Sequence, residues 1–239
     1  MDLSLDRMRT ALERLHQPAQ SIPAVQIVGT NGKGSIACLI HHGLMAAGLS
    51  SGLTTSPHLV TWCERIRVND RLISITTLRQ TLERLQPLTE QCRLTPFEQL
   101  ICSAMIHFEA QRPDWLVLEA GLGGRLDATT AHSWRPLIAV ASIGMDHREH
   151  LGGSLEAIAA EKAAAIGEGA HVISATQKPE VTAVLKQRVN EIQGSLQWVD
   201  ALDASWSLGL PGDLQKRNAA VAEAALRWMR SSHSGISDK

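Results

Sequence analysis

Apolar positions along this chain fall into two kinds of run, and their alternation predicts the architecture. Leu5, Met8, Leu12 and Leu15 recur at helical spacing and predict an amphipathic helix that ends before Pro18. Short apolar runs follow at Ala24, Val25, Ile27 and Val28, at Leu53 to Thr55, at Trp115 to Leu118, at Leu137 to Ile143 and from His171 to Ser174. Continuous runs of this kind fit parallel strands buried on both faces, while Arg65 to Val68 alternates like a strand with one wet face. Helical patterns lie between them, over 36–47, 76–92, 96–111, 154–166, 179–192 and 213–230. Thr95 is placed to cap the third of these, with Glu98 completing a capping box. The prediction is an α/β fold: a doubly wound, mostly parallel sheet with helices on both faces and ligands outside the carboxyl ends of its strands.

Composition narrows the picture. Twenty-three Lys and Arg against 24 Asp and Glu leave a net charge of -1, which gives no footprint for nucleic acid or an anionic membrane surface. The first ten residues carry charges in place of an apolar leader, and no apolar run is long enough to span a bilayer, so a cytoplasmic protein is expected. Cys38, Cys63, Cys92 and Cys102 lack metal-type spacing and read as reduced, half-buried thiols. At 239 residues a single domain is the simplest division, with residues 231–239 read as a disordered tail.

The chemistry starts at Gly29-Thr30-Asn31-Gly32-Lys33-Gly34-Ser35, between the first apolar run and a helical pattern. A strand turning through glycines into a helix converges backbone N–H groups and a helix N-terminus on one point, which suits a phosphate. Lys33 reaches outer phosphates, and Ser35 offers a hydroxyl, although Gly34 separates the two unlike the usual phosphate-loop spacing. Glu119, ending a buried run beside Gly121-Leu122-Gly123-Gly124-Arg125, is the best carboxylate for a metal held against those phosphates. The competing reading is a solvated strand end. His147 alone is open between a ligand and a surface group, and a zinc pair with His150 lacks a third ligand.

Seven segments in order carry a family resemblance: Gly29 to Ser35, Ser56-Pro57-His58, Glu64 to Val68, Thr95 to Glu98, Leu118 to Thr129, Ser142 to His147, and Glu161-Lys162-Ala163. Together they resemble the folylpolyglutamate synthase/dihydrofolate synthase family, of the Mur ligase superfamily, over nearly the whole chain. The resemblance implies a P-loop fold like the central domain of Mur ligases. Its implied function is an ATP-dependent ligase adding L-glutamate to dihydropteroate or folate through an acyl phosphate, in folate biosynthesis and one-carbon metabolism. Carried over by residue, it implies that Asn31, Gly32, Lys33, Gly34 and Ser35 bind ATP phosphates, with Asn218 on the adenine. Ser56, Glu119 and His147 would hold Mg²⁺, and Lys162 would be carbamylated. Without the resemblance Lys162 reads as a solvated helix lysine. Thr95, Phe97, Glu98, Arg125, Asp127 and Ala128 would line the pterin side, although Phe97 equally fits a core position and Thr95 with Glu98 fits capping alone. Leu214 stands where the family often has His, which removes a hydrogen-bonding group from the adenine side.

Length is the main departure, because the family continues into a glutamate-binding domain. The expectation is therefore an ATP-binding domain over 1–230 acting on small molecules as a monomer, with the glutamate half of the site outside it. The alternative is a non-catalytic nucleotide- or pterin-binding fragment, or a subunit needing a second chain. A Mur-type ligase for a cell-wall precursor fits the blocks at Thr95 and Glu119 less well.

Overall fold

The computed structural model describes residues 4–146, 149 and 152–232. His147 and His150 lie outside the described residues, as do residues 233–239 of the expected tail. Chain order begins with helix α1 (Asp6–Arg14), strand β1 (Ala24–Val28), α2 (Lys33–Ala46), β2 (Ser51–Thr54), β3 (Ile66–Val68) and β4 (Arg71–Leu72). Next come α3 (Ile75–Cys92), α4 (Pro96–Gln111), β5 (Trp115–Glu119), β6 (Leu137–Val140), α5 (Leu155–Ala163), β7 (His171–Ala175), α6 (Pro179–Glu191), β8 (Ser195–Val199) and α7 (Asp213–Ser232). Single 3-10 turns at Trp62–Arg65 and Ala128–Ala131 complete the described elements.

All eight strands form one sheet in the order β4-β3-β2-β5-β1-β6-β7-β8. From β2 to β8 the pairs are parallel, and at the other edge the β2–β3 and β3–β4 pairs are antiparallel. β1 lies centrally between β5 and β6, where the strand order reverses, and the crevice of a doubly wound sheet opens at such a switch point. Its period of two divides the core. Val25 and Ile27 pack with Val117 and Ala139 under α2 and α7. Ala24, Leu116 and Leu118 face α1, α3 and α4, while Val28, Ile138 and Val140 face α5 and α6.

Three features differ from the sequence reading. β8 lies outside the predicted runs because it is an edge strand of exposed and half-buried residues with no continuous apolar run. The last helix runs through Ser231 and Ser232, two residues into the expected tail. The cysteines are free, but only Cys92 is half-buried; Cys63 and Cys102 are buried and Cys38 is exposed. Burial pushes the Cys102 thiol up to about 12, leaving it inert.

Candidate functional site

The glycine-rich loop turns from the end of β1 into α2 at Gly32, whose φ of 96° lies in the left-handed region. A Cβ there would also stand 2.8 Å from Cγ of Asn218, so glycine is required twice over. Asn218, buried in the first turns of α7, is therefore packed directly under the loop. On the other side the loop is tied to the chain beyond β6: Thr30 N–H and Asn31 N–H donate to the Ser142 carbonyl at 2.8 and 3.2 Å. Lys33 Nζ donates to the Gly29 and Thr30 carbonyls at 3.2 Å each, which holds its ammonium over the loop.

Glu119 ends β5 beside this loop and is 4% exposed. Its Oε2 accepts the Ser56 N–H at 2.9 Å, and a Cβ placed on Gly34 would lie 3.5 Å from the same oxygen. Burial raises the Glu119 pKa above the ordinary carboxylate range, opposed by the Ser56 N–H and the Lys33 charge. A buried carboxylate with one hydrogen bond, facing a loop that offers the Ser35 hydroxyl, fits a hard cation such as Mg²⁺. Among the described residues no three His, Cys, Asp or Glu gather into a metal cluster, so any such site would mix hydroxyls with one carboxylate. Its expected third member, His147, lies outside the described residues.

Lys162 is not the solvated helix lysine that its surroundings in the sequence suggest. It is 2% exposed and donates from Nζ to the Gly29 carbonyl at 2.9 Å, directly beneath the loop. Burial, reinforced by the Lys33 charge, lowers its pKa from 10.5 to about 8. Because the unfolded chain binds this proton more tightly, the fold is penalised below pH 8 and relieved as pH rises from 8 to 10.5. In CO₂-free buffer the melting temperature is expected to show that upward contribution between pH 8 and 10, and Lys162→Met to lack it. An identical pH profile in the variant would assign the effect elsewhere.

Beside Ser56, whose N–H meets Glu119, opens a cavity of about 380 Å³. Phe97, Leu122, Leu126, Ala128 and Pro57 give it apolar walls, and Ser56, Arg65, Thr95, Arg7 and Glu98 give it polar groups. Phe97 rests on the Gly121 backbone, where a Cβ would fall 2.7 Å from its Cζ, and it also packs on the core beneath α4. Thr95 and Glu98 do form the capping box, with Thr95 N–H donating to Glu98 Oε2 at 2.7 Å. Glu98 further accepts Arg7 Nε at 2.8 and 3.0 Å, an ion pair from α1 that no local pattern announced.

Asp127 lines the cavity but is consumed by its own turn. Its Oδ2 accepts the Gly121 and Leu122 N–H groups and its Oδ1 accepts the N–H and hydroxyl of Thr129. Behind it Gln26, fully buried in β1, donates to the Thr129 and Thr130 hydroxyls at 2.8 Å each and accepts from Arg135. Arg125 departs from the cavity: it is exposed, absent from the lining, and its Nε donates to Glu161 Oε2 at 3.0 Å. The Gly124–Asp127 turn, in which the Arg125 N–H donates to the Glu161 carbonyl at 3.0 Å, leaves its long side chain against α5.

Fold and site together define a doubly wound α/β protein with a phosphate-loop turn at its switch point. No protein-family model matches the chain. It is 33% identical over 267 residues to the dihydrofolate synthase/folylpolyglutamate synthase of Bacillus subtilis, covering 98% of this chain and 62% of that protein. The folylpolyglutamate synthase of Mycobacterium tuberculosis solved with ADP and AMPPCP is similar at TM-score 0.88 and 26% identity, covering 99% of this chain and 63% of that one. A folylpolyglutamate synthase complex with AMPPCP and folate gives TM-score 0.88 at 28% identity, covering 97% and 64%. The chain belongs to the folylpolyglutamate synthase/dihydrofolate synthase family, spanning about three fifths of the length of these relatives.

Proposed function

We propose that residues 1–230 bind ATP and a pterin-bearing carboxylic acid for a ligase that joins L-glutamate to dihydropteroate or folate. The observation that carries this is Ser56: its N–H is bonded to Glu119 beside the phosphate loop while the residue lines the cavity, so the two sites share a wall. In this reading the acid's carboxylate oxygen attacks the γ-phosphorus and ADP leaves, giving an acyl phosphate. The amine of glutamate then attacks the acyl carbon, phosphate leaves, and an amide remains. Splitting the step turns a poor leaving oxygen into phosphate, and no side-chain nucleophile is needed.

The chain's own contribution is positioning and charge. Backbone N–H groups from Gly32 to Ser35 and the α2 N-terminus take the phosphates, the Asn31 N–H being held by the Ser142 carbonyl, and Lys33 moves from its loop carbonyls to the outer oxygens. A recess of about 240 Å³ between α2 and residues 208–210, lined by Ser35, Leu39, Leu208 and Gln215, receives the base near Asn218. Mg²⁺, held by Glu119, Ser56 and His147, would neutralise charge on the transferred phosphoryl group. Phe97, resting on the Gly121 backbone, offers a flat heterocycle an aromatic surface. For Lys162, a pKa of about 8 leaves about one amine in ten neutral at pH 7, enough to react with CO₂. Carbamylation would convert a buried cation beneath the loop into an anion that supports the metal.

The relatives' names and complexes support the same substrates, and the reading is of a small-molecule enzyme acting as a cytoplasmic monomer. Among the described residues no helix is long and apolar enough to cross a membrane. Calorimetry on the 239-residue chain tests the reading. Mg-ATP binding is expected, weakened about 10- to 150-fold by Lys33→Ala through loss of a charge-assisted bond worth about 1.5–3 kcal/mol. Equal affinity in the variant would remove the phosphate-loop assignment. Binding of ATP and pterin without acid-stimulated ADP release would favour the non-catalytic reading.

A further inference from the structure

Two guanidinium groups face the cavity, and their charges are handled differently. Arg7 is met by both oxygens of Glu98, so its charge is cancelled within the wall. Arg65, half-buried just ahead of β3, has no carboxylate partner among the described residues. Its Nε donates to His58 Nδ1 at 2.9 Å, and its guanidinium carbon lies 4.9 Å from the Trp62 ring centroid. Both contacts fix the group without neutralising it. It is within electrostatic reach of Glu119 yet forms no ion pair with it, which puts it at the junction between cavity and phosphate loop.

That position answers a requirement of the proposed reaction. The acid must bring a carboxylate next to Glu119 and to the ATP phosphates, all of one sign, and an uncompensated anion in a largely apolar cavity is costly. We infer that Arg65 is the specificity-determining residue for the carboxylate of the acid substrate, selecting acids over carboxylate-free pterins and aiming the nucleophilic oxygen at the phosphate loop. The inference rests on the proposed function. A guanidinium braced by His58 and Trp62 keeps two N–H groups in a fork that matches a carboxylate, which a lysine ammonium cannot reproduce. Arg125 does not compete for this role, being exposed and paired with Glu161.

Binding of two probes to the full chain separates the possibilities: pteroate, which carries the carboxylate, and 6-hydroxymethylpterin, which lacks it. Arg65→Gln is expected to lower pteroate affinity about tenfold or more while leaving 6-hydroxymethylpterin and Mg-ATP within about twofold. Arg65→Lys is expected to fall between the parent and Arg65→Gln. If Arg65→Gln weakens both pterins equally, Arg65 merely holds the Pro57–Trp62 segment and the inference is overturned. Unchanged pteroate affinity overturns it as well. A parent chain that binds neither pterin overturns the underlying substrate reading instead, which is a different failure.

Discussion

Glu119→Gln is expected to abolish the advantage that Mg²⁺ gives to ATP binding. The amide keeps an oxygen to accept the Ser56 N–H, now at 2.9 Å, so the strand end and its neighbouring turn should hold their shape. What disappears is the buried charge. Loss of one ligand or of its immediate support typically costs roughly 10- to 100-fold in metal affinity, and the drop in Mg-ATP affinity should be of that order. Affinity for ATP in the presence of a chelator should stay level or rise, since a carboxylate beside the phosphates has been neutralised. Titrations with and without Mg²⁺ give both numbers. Because burial raises the Glu119 pKa, mild acid should imitate the substitution: the Mg²⁺ advantage is present while Glu119 is ionised and fades as pH falls, sooner than for an exposed glutamate. A variant with the parent's Mg²⁺ dependence would make Glu119 a structural strand end.

Gly32→Ala should be equally damaging by a different route. An alanine at a φ of 96° carries backbone strain of about 1–2 kcal/mol. Its methyl group would also press on the Asn218 amide, whose Nδ2 is held by Gln215 Oε1 at 3.3 Å. The turn has no slack, since Thr30 and Asn31 are bonded to Ser142 and Lys162 is bonded to Gly29. The N–H groups that define the phosphate site should lose their common focus, with Mg-ATP affinity falling at least about 100-fold. Adding Asn218→Ala relieves the collision but not the strain, so recovery in the double variant, measured against Asn218→Ala alone, would apportion the two causes. Full affinity in Gly32→Ala alone would show that the loop's shape is unimportant to binding.

Sheet and loop were legible because each is a local pattern. Trp115 to Leu118 and the residues around Gln26 from Ala24 to Val28 are apolar runs on a scale that one strand can satisfy, and Pro96 with Thr95 and Glu98 writes a helix start within four residues. The partners of these residues were illegible. Arg7 meets Glu98 across 91 positions, and Gln26 meets Thr129 across 103, so neither pair leaves a trace in spacing. Gln26 interrupts an otherwise apolar strand, and a buried amide in a central strand implies a hydrogen-bonded partner without saying which. Lys162 looked solvated because α5 is nearly apolar all round, which hides the buried face of a lysine. The family resemblance puts Arg125 on the pterin side by its motif alone, and only the folded turn directs it toward Glu161.

The placement of β1 has a consequence for how the protein is made. Its register joins Ala24 to Leu116 on one side and Val25 to Leu137 on the other, with no neighbour from nearby in the chain. During synthesis the strand that presents the phosphate loop therefore waits, apolar on both faces, until β5 and then β6 have emerged. Closing such long loops is slow and leaves sticky segments exposed in the meantime. ATP cannot assist these early stages, because the loop lacks Glu119 and the Ser142 anchor until the sheet has closed around it. Nascent chains released before about residue 142 should thus depend on chaperones whatever the nucleotide level, whereas longer ones should gain protection from it.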